Sequence, residues 1–434
     1  MKRLAGLVLA AALLTLPAQA LEREVVPIAA SGYTYYAIDA DGKFYAWGDT
    51  LHGAVGPADQ DPLPWENANI LLEDACSVAG GFSMSAAIDT DGVLWGWGGH
   101  AGRTFGEGEP FRLLEDVVEI SIGDTRCAAL RSDGTVWVWG ARSGQSLEAH
   151  PDDPTFPPTQ ILDHAVHLAG DMAVLEDGTL VGFQFDGDTV TTEPLMEHVA
   201  DVCTGSGFYE GEFLLVQGQD GSLWRVPQVT VSEGSFGLGQ PEKILEQVTW
   251  FAPGLAVTAD GTLWAWGQNR PAMLREGQVD ASDPLLSASS LETEPCDEIV
   301  KITEGIAAAV SGADRTLAVL EDGSLWQLPV ASLLSDGKEP ADQAPNQPEK
   351  LLARALLPDT PPAWPEEAPD PTVVASASLS AGEDAQSGGV PTETPEEEGA
   401  AAHTAPDNAS SGVWLPAAAA VALAVIAWLR GRKH

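Results

Sequence analysis

The stretch AVTADGTLWAWGQN, residues 256–269, sets an Asp-Gly pair between two apolar runs and carries Trp264 and Trp266 two residues apart in the second run. Asp-Gly between apolar segments is a strong short-range hairpin signal, because a tight turn needs residues that tolerate positive φ. It predicts two strands joined by a type I′ turn. The runs are apolar at nearly every position, as in strands covered on both faces. Side chains alternate along a strand, so Trp264 and Trp266 share one face while Leu263 and Ala265 share the other.

The phrase recurs along the chain. It reads AIDADGKFYAWGD from Ala37, AIDTDGVLWGWGG from Ala87 and ALRSDGTVWVWGA from Ala129. Weaker copies start at Ala173 and Leu214, and a last one, AVLEDGSLWQLP, at Ala318. The turn glycines Gly42, Gly92, Gly134, Gly178, Gly221, Gly261 and Gly323 are 50, 42, 44, 43, 40 and 62 residues apart. Such a period marks a repeat architecture. A weaker strand pair precedes each hairpin, as in NILLEDACSVAGG from Asn69 and EKILEQVTWFAPG from Glu242. Four strands per repeat, covered on both faces, seven times over, predict an all-β, seven-bladed β-propeller. The paired tryptophans then fill the wedges between neighbouring blades as core, not as a ligand cage.

The ring closure is also foreshadowed. PEKLLARALL from Pro348 matches PEKILEQV from Pro241, yet no hairpin follows it. The missing remainder stands at residues 24–42, so the two ends of the propeller, residues 21–358, are expected to share one blade. The Gly-rich loop after the Trp strand, as in WGDTLHGAVG from Trp47, is similar to the repeat of the regulator of chromosome condensation family. The resemblance spans the seven hairpins and implies a propeller. That family's founding member is a nucleotide-exchange factor for a nuclear GTPase and sits on chromatin. Neither role suits an exported acidic chain. A secreted inhibitor of β-lactamases has similar repeats, which makes inhibition of an extracellular enzyme the alternative function.

Both ends read as targeting segments. Residues 1–20 have Lys2 and Arg3, an apolar stretch and Ala18-Gln19-Ala20, the order of a secretory signal peptide. Residues 359–412 are rich in Pro, Glu, Ala, Ser and Thr and poor in large apolar groups, which predicts a disordered stalk. Residues 413–429 are uncharged and flanked by Trp414 and Trp428, which predicts one transmembrane helix. The basic tail 430–434 then marks the cytoplasmic side. The expected location is the cell membrane, single-pass, with the propeller outside.

The formal net charge is −43, from 21 Lys and Arg against 64 Asp and Glu. Nucleic-acid binding needs cations to displace counterions from phosphate, so this surface excludes it. Cys76, Cys127, Cys203 and Cys296 allow three pairings if all bond, and their spacing fits no zinc motif; free buried thiols are the expectation. His164 and His167 read as edge histidines on opposite strand faces. The DADG at Asp39 and DTDG at Asp89 lack the other ligands of a calcium loop and read as turns. No catalytic motif is present, and neither a catalytic residue, a cofactor nor a metal site is expected.

The longest insertions, 98–110, 141–159 and 268–296, all follow the Trp strand. Insertions at one phase of a repeat emerge on one rim. They carry Arg103, Phe105, Arg142, Phe156, Met273 and Arg275, residue types that protein interfaces favour. The sequence thus predicts a non-catalytic, monomeric protein-binding propeller whose partner is an extracellular protein or envelope component. An enzyme with a site in the central channel is a third reading.

Overall fold

In the computed structural model, each hairpin's third-strand residues alternate between two interfaces. Leu263 and Ala265 face one neighbouring blade, and Trp266 faces the other. The structure describes residues 20–50, 53–81, 84–98, 110–123, 126–141, 155–186, 189–207, 211–232, 235–266, 299–312, 315–329, 349–360, 364–365, 368–374 and 378–380. All lie in the first of two compact units, 1–382; the second, 383–434, lies outside them. The expected signal peptide, stalk end, transmembrane helix and basic tail therefore fall outside the described residues. Among those residues no helix is long and apolar enough to cross a membrane.

Seven antiparallel sheets follow one another along the chain, each built on four consecutive strands. Blade 1 comprises Ile28–Ser31, Thr34–Ile38, Phe44–Gly48 and Asn69–Leu72. The first strands of blades 2 to 7 are Ala75–Gly80, Val117–Ile122, Ala165–Ala169, Val199–Gly207, Val248–Ala252 and Ile306–Ser311. Each first strand neighbours that of the next blade, and the seventh returns to the first. The molecule is a seven-bladed β-propeller with its first strands around the axis. The frame differs in one respect from the sequence expectation. The pair preceding each hairpin is split: NILL closes one blade and ACSVAG opens the next.

Seven apolar clusters hold the ring, one per blade interface, including one between blades 7 and 1. In blades 1, 2, 3 and 6 the second ring of the Trp strand enters the preceding interface: Trp47, Trp97, Trp139 and Trp266 are each at most 3% exposed. Phe183, Val226 and Leu328 take this place in the weaker repeats. A hydrophobic wedge is needed, and several apolar shapes fill it, which is why the motif can weaken without losing the blade.

The turns correct the sequence expectation. Gly42 donates to the Asp39 carbonyl, and Asp39 donates to that of Lys43, so two nested bonds enclose the turn. Only the glycine has positive φ, between 74° and 88° in all seven turns. This is a type I turn followed by a glycine bulge, not type I′. The Asp39 and Asp89 carboxylates accept turn amides of residues 41 and 43, and 91 and 93. The other oxygen takes the Tyr45 hydroxyl or the Trp95 indole N–H. In blades 3, 5, 6 and 7 a Thr or Ser hydroxyl of the turn receives the indole instead.

Closure uses the same bond as every other junction. Two or three residues beyond each outer strand, a backbone N–H is donated to the preceding turn glycine's carbonyl: Ala75 to Gly42, Val117 to Gly92, and so on to Ala355 to Gly323, at 2.6–3.0 Å. Ala75 then pairs with Asp89 in blade 2. Ala355 pairs with Asp39 in blade 1, and Leu356 donates to Ile38. Residues from both chain ends thus line the inner edge of blade 1, Ala355 and Leu356 continuing where Ile28–Ser31 stops. The C-terminal share is short, because Glu349–Leu352 is the outer strand of blade 7. Ordered chain continues past 358, where the sequence predicts a stalk. Thr372–Val373 extends the blade 4 sheet and Ser378–Ser380 pairs with Ser235–Leu238.

Trp266 finds no indole hydrogen-bond partner among the described residues, so it acts through bulk. Trp266→Ala should cost about 3–5 kcal/mol through lost burial and the residual cavity, and Trp266→Phe clearly less; chemical denaturation of both variants checks this. Hydrogen bonds from Thr135, Thr179, Thr258 and Ser324 hold the carboxyls of Asp133, Asp177, Asp260 and Asp322 below the usual range. Their stabilisation is therefore full above the unfolded value, about pH 4, and is lost as pH falls through the lower folded values. Replacing all four with Asn should flatten this part of the acid limb, read from melting temperatures between pH 2 and 6.

Candidate functional site

Two regions concentrate features that the fold does not require. The first is the end of the blades where third strands hand over to fourth strands. Blade 6 leaves Leu263–Ala265 and returns at Val300–Thr303. Blade 7 leaves Leu325–Pro329 and returns at Glu349–Leu352. Blades 1, 2 and 3 also leave long separations, 49–68, 99–110 and 142–154, whereas in blade 4 Leu180–Asp186 pairs directly with Thr189–Glu197, and in blade 5 Leu223–Ser232 pairs with Ser235–Leu238 as well as with the outer strand Glu242–Leu245. The long connections thus belong to five successive blades, 6, 7, 1, 2 and 3. Only that of blade 1 is described through most of its length, with Trp65 packed on Tyr45 and Trp47. Of the residues predicted to bind a partner, Arg103, Phe105, Arg142, Met273 and Arg275 lie outside the described residues. Phe156 lies in the strand Thr155–Leu162, opposite Gly140, so the blade 3 insertion is shorter than the sequence suggests.

The second region is the axis, at the end where the Asp-Gly turns lie. The N-terminal segment crosses it. Leu21 donates to Ser132 of blade 3, Arg23 to Asp89 and Thr90 of blade 2, and Val25 to the Asp359 carboxylate. Between these anchors Glu24 meets Glu119 and His167, from the first strands of blades 3 and 4. One donor atom of each lies within 4.8 Å of the others. Glu119 Oε1 accepts the Leu168 amide at 3.1 Å, leaving Oε2 at 3.5 Å from His167 Nδ1. That contact lacks hydrogen-bond geometry, and His167 Nδ1 is shielded from solvent with no hydrogen-bond partner among the described residues.

Electrostatics concentrate here. Burial, then the charges of Glu119, Asp201 and Asp359, push the Glu24 carboxyl well above the usual range, opposed only by His167. Burial also raises Glu119, against the lowering effect of His167. Burial would lower His167, but Asp201, Glu119 and Glu24 override it and bring it to about 10. The acidic groups gathered around His167 favour its charged form, which sets it apart from an ordinary edge histidine. His164 is exposed with φ 64° in the linker before the strand and stands near Glu176. Sequence reasoning passed over Glu24, Glu119 and Asp201. A signal existed: the third residue of the first strand is Ser77, Glu119, His167 and Asp201 in blades 2 to 5, each polar between two apolar neighbours.

Cys76, Cys127 and Cys203 are free thiols, and burial raises all three above the ordinary value. Raised thiols are poor nucleophiles at neutral pH. Cys296 lies outside the described residues.

No family model matches the chain. The mitochondrial RCC1 domain-containing protein RUG3 of Arabidopsis thaliana is 34% identical over 86 residues, 19% of this chain and 19% of its own length. A bifunctional serine/threonine-protein kinase/NEDD4-like E3 ubiquitin-protein ligase of Dictyostelium discoideum is 30% identical over 90 residues, 19% of this chain and 5% of its own. The match thus spans about a fifth or less of these curated relatives. Among solved structures, yeast RCC1 (Prp20) bound to Kap60 is similar with a TM-score of 0.50 and 15% identity, over 77% of this chain and 86% of that chain. This likeness shows the fold: an RCC1-like seven-bladed propeller.

Proposed function

We propose that the propeller is a non-catalytic protein-binding module displayed outside the cell, and that its partner docks on the rim bearing the long connections. The observation that carries this reading is their distribution: they belong to five successive blades, at one end of the ring. Loops gathered on one end of a rigid scaffold are the usual place for recognition. The yeast propeller with a similar fold was crystallised with a protein, Kap60, which supports the use of such a ring as a docking platform. Arg103, Phe105, Phe156 and Arg275 bring cationic and aromatic groups to a chain of net charge −43. Interface energy concentrates in a few such anchors, with truncations costing about 2 kcal/mol or more. Export, the stalk and the membrane anchor belong to the same proposal and rest on the sequence of the two ends.

Crosslinking on intact cells, read by mass spectrometry, tests the rim. Replacing Arg103, Phe105, Phe156 and Arg275 together with Ala should abolish the specific crosslinked species while circular dichroism stays unchanged. Capture at wild-type level would refute the rim assignment. A soluble propeller that blocks an extracellular enzyme without its anchor would favour the inhibitor reading. Topology has its own test. Protease added to wall-stripped intact cells should release a soluble acidic fragment by cutting between the propeller and residue 412, and a protected propeller would reverse the orientation.

A further inference from the structure

We propose that Glu24, Glu119 and His167 form a divalent-cation site on the propeller axis, which ties the N-terminal segment to blades 3 and 4. One atom from each side chain lies within 4.8 Å of the other two, and the three come from separate parts of the chain. The Glu119–His167 pair shows how the donors are held. Their 3.5 Å separation lacks hydrogen-bond geometry. It is close to the edge of a tetrahedral shell around zinc, about 3.4 Å for metal–ligand bonds of 2.0–2.1 Å.

The surroundings fit such a site. Glu119 Oε1 is occupied by the Leu168 amide, which fixes the carboxylate and turns Oε2 toward His167. Outer contacts of this kind orient ligands and tune a metal. Asp201 Oδ1 is held by the Val202 amide and Asp359 Oδ2 by the Val25 amide, so two further carboxylates stand close with an oxygen to spare. Arg23, the cation beside Glu24 in sequence, is turned away to the carbonyls of Asp89 and Thr90. Carboxylates with one imidazole suit a borderline ion such as Zn2+ better than Ca2+, whose ligands are oxygens. The His167 ring, as the other possible counterion, is the competing arrangement.

The full chain, stripped with EDTA and titrated with ZnCl2 by calorimetry at physiological salt, tests the site. Cys76, Cys127, Cys203 and Cys296 are changed to Ser in every protein so that thiols do not compete. One saturable site per chain is expected, with a raised melting temperature and no matching site for CaCl2. Glu119→Gln and His167→Asn should each weaken Zn2+ binding tenfold or more. Glu24→Gln, on the N-terminal segment outside the blade strands, gives the same readout with little risk to folding, and circular dichroism monitors all three. No saturable site, or affinity unchanged in all three folded variants, would overturn the proposal and leave His167 as the counterion. Partner capture through the rim is independent of either result.

Discussion

A blade of this propeller has no core of its own; each apolar face is buried only against a neighbour. The seven interface clusters therefore form a loop, and the interface between blades 7 and 1 depends on joining chain ends more than 300 residues apart. The join is made by repetition. The amide that bonds the turn-glycine carbonyl at six internal junctions is supplied at the seventh by Ala355. Ile28, Tyr35 and Trp47 from one end then pack with Leu317, Val319 and Leu325 from the other. Stability in repeat folds is carried by such nearest-neighbour terms, so an open ring would expose two whole faces.

Closure has a second effect. It brings the N-terminal segment and Asp359 to the axis, where the first strands of blades 3 to 5 present Glu119, His167 and Asp201. The net charge of the chain is thus not spread only over solvent. Part of it is gathered at one partly buried point, with His167 among the carboxyl groups. Among the described residues the linkers between blades lie at the Asp-Gly end, which leaves the opposite end to the long connections. One end holds the junctions that close the ring and the other carries the long connections.

Much of the fold was legible because its physical signals are local. Asp-Gly turns, two-residue alternation and Trp-x-Trp wedges repeat, and each copy reinforces the others. The weak copies at Val181–Phe183 and Trp224–Val226 still gave their position through the turn glycine. The turn type was not legible, since Asp-Gly satisfies both type I′ and type I with a glycine bulge. The blade boundary was misplaced because NILL and ACSVAG are adjacent in sequence but belong to different sheets. The axial cluster was missed for a deeper reason: Glu24, Glu119 and His167 meet only after the ring closes, and no pairwise spacing encodes that. His167 alone looked ordinary, and only its shared phase with Glu119 and Asp201 marks it.

Amide hydrogen exchange read by mass spectrometry tests ring closure most directly. Peptides covering residues 28–38 and 350–356 should exchange together, at the slow rate of the blade cores, because they belong to one cooperative unit. Ala355→Pro removes the N–H donated to Gly323 and should release both peptides at once, although they lie at opposite ends of the chain. Fast exchange at 350–356 in the wild-type protein, or protection of 28–38 that survives the substitution, would contradict a ring closed through Ala355.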